Sequence, residues 1–485
     1  MTESNASDPV EAALRAATVA SAPGTRLPSV RELMARHRAG PQTVQQAIAR
    51  LAAEGLVDPR PGRGTFVAAP AAEDRAAAPD LDWQALALGE GAADASALHT
   101  QMKLPPPGTI ALSSGYPDES LQPTGLLAAA LARAARRPGA WARVPTEGLD
   151  RLRAWFALEA GGLFRAHDVV VTPGAQAALS TVMRVLAGPG RPVLVESPTF
   201  IGTIAAARMA GGRVVPVPVD RGGVRTDLLE AAFRATGAKV FVCQPLYANP
   251  HGASLALDRR AELLRIVREA RAFLVEDDYA RDLALDDDPA PPLASEDPDG
   301  HVVYIRSLTK AAAPGLRVGA IAARGAAGTR IRAARVVDDF IVAGPLQEAA
   351  LDLVSSPAWR RHRRTTAAAL TERRDLLVAA VRRHVPGASI DIVPRGGFSL
   401  WVRLPDGLDD VAVTAAAERE GVIVSPGRPW FPAEAPGPFL RLTFAAAPAD
   451  ELDRGARILG EVVVRHGPPA ESAGLSARSR APADA

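Results

Sequence analysis

Read for hydrophobic and polar positions, the chain falls into stretches with different periods. In LPSVRELMARH, Ser29 is followed three residues later by Glu32, the capping-box spacing that opens a helix. A short turn over 38–40 comes next, and Pro41 then takes the first position of a second helix. Along that helix Val44, Ala47, Ile48 and Leu51 recur at i, i+3, i+4 and i+7. They make one buried stripe, which leaves Gln42, Thr43, Gln45, Gln46 and Arg50 largely on the outer face. Residues 56–60 and 65–67 flank PGRG, a glycine turn between two short strands. Two helices joined by a tight turn, the second outwardly polar, with a hairpin wing behind them, predict a winged helix-turn-helix. The plain alternative is a three-helix bundle whose polar helix is merely solvated.

From Thr109 to about Val464 the pattern changes. Apolar runs at 169–171, 193–195, 214–217, 240–242, 273–275 and 302–305 alternate with helical stretches such as 175–186 and 259–272. That alternation predicts βα units on a mostly parallel sheet, an α/β architecture with a smaller α+β C-terminal part. The divisions expected are 8–69 for the winged module, 70–107 for a linker, 108–465 for the large domain and 466–485 for a disordered tail. The linker is rich in Ala, Pro, Gly and Asp, with one short helix around 83–88; the tail has too little apolar content to fold alone.

Composition sharpens this picture in three places. The 485 residues carry 56 basic and 54 acidic side chains, a formal charge of +2, which argues against coating nucleic acid by bulk electrostatics. Within 24–67, however, seven arginines (26, 31, 36, 38, 50, 60, 63) face three acids (Glu32, Glu54, Asp58), a local basic patch. Cys243 is the one cysteine, which excludes a disulfide framework and a multi-cysteine zinc site; no metal centre is expected. No apolar run reaches about 18 residues and no leader pattern opens the chain, so it reads as soluble and cytoplasmic. Finally, the only lysines are Lys103, Lys239 and Lys310. Arginine stays protonated, so any amine chemistry has three candidate positions.

Four segments of the large domain carry candidate chemistry. VVVTPGAQAAL is a strand, a glycine turn and a helix start; the N–H groups of Gly174, Ala175 and Gln176 suit a phosphate, although many βα turns look the same. FVCQPLYANPHG places Asn249 beyond a strand C-terminus, where open α/β sheets bind ligands, or simply in an Asn-Pro turn. FLVEDDYA puts three acids and Tyr279 straight after a buried strand, and the later LDDDPAPPLASEDPDG reads as a solvated loop. VVYIRSLTKAAAPGLRVG sets Lys310 just past a strand, with Ser307 before it and Arg317 after it. An exposed lysine is the ordinary reading. A chain this poor in lysine that keeps one there raises the weight of chemistry.

LPSVREL…TVQQAIARLAAEGLVDPRPGRGTFV resembles the winged helix-turn-helix of the GntR regulators over some 45 positions. The resemblance implies DNA contacts from Arg31, from Pro41, Gln42, Thr43 and Gln45, and from the wing tip at Gly62, Arg63, Gly64 and Thr65. The family usually has Ser or Thr followed by Arg where Gly40 and Pro41 stand, and often Arg in place of Gln45. Glutamine pairs with adenine where arginine prefers guanine, so the resemblance implies DNA binding but not which operator sequence is read.

The four segments, in their order and spacing, resemble the fold-type-I aminotransferases that bind pyridoxal 5′-phosphate (PLP) over roughly 110–460. Joined to the winged helix they resemble the MocR subgroup of the GntR regulators. By that resemblance Lys310 matches the Schiff-base lysine, and Asp277, rather than Asp278, the carboxylate on the pyridine nitrogen. Tyr279 and Asn249 match the partners of the phenolic oxygen, and Phe200 the ring that stacks on the cofactor. Gly174–Gln176, Ser307 and Arg317 match the phosphate ligands, and Arg441 the arginine that receives a substrate α-carboxylate. The tyrosine that the family sends to the partner's phosphate is missing; in WARVPTEG the nearest register holds Arg143. The implied function is a homodimeric transcription regulator that binds an operator and senses an amino compound through external aldimine formation. The alternatives are a working aminotransferase carrying a DNA module, and a regulator whose pocket no longer holds PLP.

Overall fold

The computed structural model of the chain describes residues 8–68, 81–88, 96–286 and 288–467, which form two compact units divided near residue 90. Parts of the expected linker (70–80, 89–95), with residue 69 and the tail from 468 on, lie outside the described residues.

In the first unit helix α1 spans Asp8–Ala20, α2 Val30–His37 and α3 Pro41–Ala53, followed by strands β1 (Val57–Arg60) and β2 (Gly64–Val67). Both halves of the capping box are present: Ser29 Oγ accepts from the Glu32 N–H, and the Glu32 carboxylate accepts from the Ser29 N–H at 2.7 Å. Val44, Ala47, Ile48 and Leu51 are buried against Val10 and Leu14 of α1, Leu33 of α2, and Leu27, Val57 and Val67. Helix α1 had no counterpart in the sequence expectation. It closes the apolar side of α3 and is tied to it by the Arg15–Glu54 and Arg50–Glu11 ion pairs. β1 and β2 pair antiparallel about the 60–64 turn.

In the second unit strand β3 is Ile110–Ala111, and the large sheet uses β4 (Val169–Thr172), β5 (Pro192–Ser197), β6 (Arg213–Asp220), β7 (Gly223–Val224), β8 (Val240–Cys243), β9 (Phe273–Asp278), β10 (Val302–Ser307) and β11 (Gly319–Ala322). Their order is β4-β11-β10-β9-β8-β5-β6-β7. β10, β9, β8, β5 and β6 run parallel to one another, while β11 is antiparallel to both of its neighbours. Successive side chains point to opposite faces, so each strand feeds two cores. Val193, Val195, Val240, Val242, Val303 and Ile305 pack beneath helix Ala175–Leu186. Leu194, Phe241, Leu274, Val302 and Tyr304 join the other core with helices 226–236 and 257–269. Strands buried on both faces read as unbroken apolar runs, which is why the sequence showed them.

The smaller part follows. Strands β12 (Ser399–Arg403), β14 (Ser425–Pro426) and β15 (Phe439–Thr443) form a sheet in the order β12-β15-β14, packed with the long helices Pro357–His384 and Ala449–His466. β13 (Val422–Ile423) pairs with β3, so the chain entering the second unit is stitched to its C-terminal part.

Three expectations are corrected here. Residues 96–102, assigned to the linker, form a helix that packs on helix Ile201–Met209. The acids of FLVEDDYA lie within β9, not after it, and Glu276, Asp277 and Asp278 are all buried. LDDDPAPPLASEDPDG is not wholly solvated: Leu293, Ala294 and Asp297 are buried. The N–H groups of Leu293 and Ala294 donate to the Glu276 carboxylate at 3.0 and 2.9 Å. A buried carboxylate needs donors, and here they come from this loop.

Candidate functional site

The C-terminal ends of β4, β5, β8, β9 and β10 bring the candidate residues together, at the edge where parallel sheets bind ligands. Beyond β4, Gly174 has φ of +95°, a conformation that only glycine adopts without strain, and it caps helix 175–186. A Cβ there would stand 2.8 Å from the Arg317 guanidinium, which donates to the Pro173 carbonyl at 2.6 Å. The Gly174 N–H itself donates to the Thr172 carbonyl at 2.8 Å. Of the three amides expected to cradle an anion, Gly174 is therefore engaged. Those of Ala175 and Gln176, in the first helical turn, have no intrahelical acceptor. Ser307 is buried at the end of β10, its hydroxyl accepting from the Thr309 N–H at 3.2 Å.

Lys310 is half-buried. Its Nζ donates to the Gly115 carbonyl at 2.7 Å and lies 3.7 Å from the centre of the Tyr116 ring. Burial pushes its amine down to about 7; the Arg441 and Arg317 cations add to that, and Asp277 opposes it. Lys103 is exposed, and Lys239 donates to the Ala270 carbonyl at 2.6 Å, so neither of them shares this environment.

Asp277 and Asp278 point to opposite sides of β9. Asp278 Oδ2 accepts from the Tyr304 hydroxyl at 2.8 Å and pairs with Arg281, whereas Asp277 Oδ2 accepts from Gln244 Nε2 at 2.7 Å. Asp277 Oδ1 is buried with no partner. Burial raises the Asp277 carboxyl to about 6, the Gln244 hydrogen bond and Lys310 opposing it and the charge of Asp278 adding to it. Tyr279 is buried and its hydroxyl donates to the Tyr247 carbonyl at 2.7 Å. Phe200 caps helix 201–209, with its ring 6.5 Å from that of Trp430.

Arg441 reaches in from β15. It is buried and donates through Nε to Asn249 Oδ1 at 2.8 Å and to Ser399 Oγ at 3.1 Å, and through Nη1 to the Ser113 carbonyl at 2.9 Å. Its guanidinium lies over Trp430, 5.0 Å from the ring. Burial lowers its pKa to about 10, against the pull of Tyr279, so it stays cationic at neutral pH.

Several neighbours escaped the sequence reading. Glu196 and Gln244 sit at strand ends, and the rule that found Asn249 applies to them equally. Ser113, Gly115 and Tyr116 lie in an ordinary-looking SSGYP turn, which carries no local signal.

In the first unit Arg31, Pro41, Gln42, Gln45, Gly62 and Arg63 are exposed, Thr43 and Gly64 half-buried. Thr65 departs from the expectation. It is buried, and its carbonyl accepts from the Leu27 N–H at 2.9 Å, so its side chain faces inward. Arg60 stacks over Phe66 at 4.7 Å, fixing one edge of the wing.

Comparison with known proteins places both units. The family model "Aminotransferase class I and II" matches residues 109–459, and that of the bacterial regulatory proteins of the gntR family matches 7–67. The 2-aminoadipate transaminase of Thermus thermophilus is 32% identical over 390 residues, 79% of this chain and 98% of that protein. The HTH-type transcriptional regulator YdfD of Bacillus subtilis is 24% identical over 445 residues, 91% of this chain and 92% of its own. The probable rhizopine catabolism regulatory protein MocR of Rhizobium meliloti is 29% identical over 425 residues, covering 83% and 82%. The crystal structure of LysN, the α-aminoadipate aminotransferase of Thermus thermophilus, complexed with N-(5′-phosphopyridoxyl)-L-leucine, superposes with a TM-score of 0.74 at 30% identity. It covers 79% of this chain and 98% of that one.

Proposed function

Because this chain belongs to the class I and II aminotransferases, a PLP-dependent family, and carries a GntR-type DNA-binding head on that body, we propose that it is a transcription regulator whose body senses a small amino compound. The residues present fit the cofactor. Asp277 Oδ1 is a buried acceptor with nothing to accept from, as a protonated pyridine nitrogen requires. The free helix amides at Ala175 and Gln176, together with Arg317 and Ser307, make an anion site of the kind a phosphate needs. When bound, PLP supplies an aldehyde that takes up primary amines and a ring that withdraws electrons from them.

The chain's own groups do the rest. Lys310 Nζ, held near neutrality by its surroundings, serves as a nucleophile and returns as a proton acceptor. Arg441, fixed by Asn249 and Ser399, holds the carboxylate of an amino acid. Tyr279 and Asn249 would lie on the phenolic side of the bound cofactor, and Phe200 would cover its ring.

One observation carries the sensing reading. The Ser113–Tyr116 turn holds both basic side chains, Arg441 through the Ser113 carbonyl and Lys310 through the Gly115 carbonyl. The same Ser113 carbonyl accepts from Gln101 on the helix Ser96–Met102, the element nearest in sequence to the head-side linker. An amino acid that engages Arg441 and releases Lys310 changes both ends of that turn at once. A homodimer places two heads on two half-sites, and a shift of about 1–3 kcal/mol between head arrangements suffices for regulation.

The test is operator affinity, measured with and without candidate amino acids, in the wild type and in Lys310→Ala. An effector response lost in the variant supports the reading; equal responses refute it. A second reading, an active aminotransferase with a DNA module, is favoured by the retention of Lys310, Asp277 and Arg441 in one site. Steady transfer of amino groups to a keto acid over many turnovers establishes it.

A further inference from the structure

β9, β8 and β5 are neighbours in the sheet, and each has a buried polar residue within one position of its C-terminal end: Asp277, Gln244 just past β8, and Glu196. Gln244 stands between the two acids. Its Oε1 accepts from the Asn249 N–H at 2.8 Å. A backbone N–H only donates, so this contact fixes which end of the amide is oxygen. The other end, Nε2, is then the donor to Asp277 Oδ2 at 2.7 Å. The backbone N–H of Gln244 donates in turn to Glu196 Oε2 at 2.9 Å.

We infer that Gln244 is a positioning residue for the cofactor: its amide occupies Asp277 Oδ2 and leaves Oδ1 as the oxygen open to a cationic ring N–H, while its backbone N–H holds Glu196 behind it. This rests on the reading of the body as a PLP site. Three features support it beyond the hydrogen bond itself. Of the two oxygens of Asp277, Oδ2 is taken by Gln244 and Oδ1 has no partner, so the amide divides them between protein and ligand; Asp278 Oδ1 also lacks a partner but lies on the opposite side of β9. The neighbouring Asp278 is committed to Arg281 and Tyr304 and does not compete for the ring. Burial pushes Glu196 up to about 8, the Gln244 N–H opposing and the charge of Asp277 adding to it. At neutral pH Glu196 is thus largely un-ionised, and the site holds one negative charge where two acids stand.

The experiment uses full-length protein stripped of cofactor. It compares binding of PLP with binding of its 1-deaza analogue, which lacks the ring nitrogen, both followed by absorbance. Gln244→Leu removes the donor and is expected to weaken PLP at least about tenfold, the effect of losing one hydrogen bond to a charged group, while the analogue changes by less than about twofold. Gln244→Ala removes the same donor without adding bulk, and the same split is expected. Glu196→Gln keeps a carbonyl acceptor and mimics the neutral acid, so PLP binding should stay within about twofold of wild type. Equal losses for PLP and the analogue in both Gln244 variants would show that the amide merely shapes the pocket, and no loss in either would show that it is idle. A tenfold loss in Glu196→Gln would overturn the neutral-acid assignment. Wild type that binds neither ligand sinks the functional reading and this inference together, whereas the other adverse outcomes sink the inference alone.

Discussion

In the head, Arg31, Arg63 and the polar face of α3 lie exposed on a small core, whereas in the body Arg441, Asp277 and Glu196 are closed in by the sheet and its loops and Lys310 is half-buried. The same residue types do different work in the two places. An exposed guanidinium keeps its hydration and its charge and acts on phosphates at a distance that salt screens. A buried amine or carboxyl pays for desolvation with a shifted pKa, and the shift is the chemically useful property. Changes in the head should therefore alter affinity and its salt dependence while the fold persists. Changes in the body should alter reactivity, pH dependence and stability together.

The largest expected contrast is in Lys310 itself. With its pKa near 7, about half of it is free amine at neutral pH, against well under a thousandth for an ordinary lysine near 10.4. Competitive labelling of cofactor-free protein with acetic anhydride, with Nα-acetyl-lysine amide in the same tube, should show Lys310 reaching its plateau about three pH units earlier. Coincident profiles would remove the environment argued here. The sign for stability follows. Folding holds this amine below its unfolded value, so the unfolded chain binds more protons between about pH 7 and 10.5. The burial cost is full below pH 7 and is relieved as pH rises through that window. Lys310→Met should therefore stabilise the cofactor-free body most at pH 6 and least at pH 10, in urea titrations.

Next in size is Arg441→Leu. It removes the one guanidinium held by Asn249, Ser399 and the Ser113 carbonyl, and with it the charge proposed to meet a carboxylate. Amino acids should bind the PLP-loaded protein about a hundredfold more weakly, the cost of a lost charge-assisted pair. The corresponding decarboxylated amines should change by less than about threefold. A loss common to both classes would place the carboxylate elsewhere.

How much of this was legible in the chain differs between the two regions for a physical reason. The head is written in local signals: Ser29 with Glu32, Pro41, and the stripe Val44–Ala47–Ile48–Leu51 each concern residues within two helical turns, and their positions follow from spacing alone. What failed there was α1, whose apolar face acquires meaning only against α3, and Thr65, whose inward direction depends on the strand register with Val57–Arg60. In the body the apolar runs gave the strands, and the family resemblance gave Lys310, Asp277 and Arg441. The contacts among them span up to 328 positions, as between Arg441 and Ser113, and no local pattern encodes such pairings. Gln244 lies two residues beyond the 240–242 run, and no motif marks it. The acids of β9 were misplaced because runs of Glu and Asp read as solvent-facing, unless one asks which backbone amides will meet them.

On the head side the effects should be smaller and salt-linked. Arg31→Ala and Arg63→Ala are each expected to weaken operator binding several-fold at physiological salt. If either arginine meets phosphate, its removal lowers the slope of log affinity against log salt by about one; if it meets a base edge, the slope holds and discrimination at one operator position falls. Arg31 and Arg63 have no ion-pair partner among the described residues, so neither change should move the unfolding transition of the head. A shift in that transition would mean that these side chains support the fold instead of displaying themselves on it.

The smallest effect is also the cleanest separation of head from body. Ser29→Ala removes the hydroxyl that accepts the Glu32 N–H at 3.3 Å and donates to Glu32 Oε2 at 2.8 Å, leaving only the backbone Ser29 N–H bond to that carboxylate. Losing such a cap costs about 1 kcal/mol of local stability. Hydrogen exchange should therefore quicken by roughly fivefold in α2 and its contacts on α3, while β9 and β10 of the body exchange as before. Operator affinity should fall only by the fraction of heads unfolded, a loss that excess DNA reverses by mass action. If the exchange of β9 changes as well, the two units do not unfold independently, and the division between an exposed DNA-binding head and an aminotransferase-like body has to be redrawn.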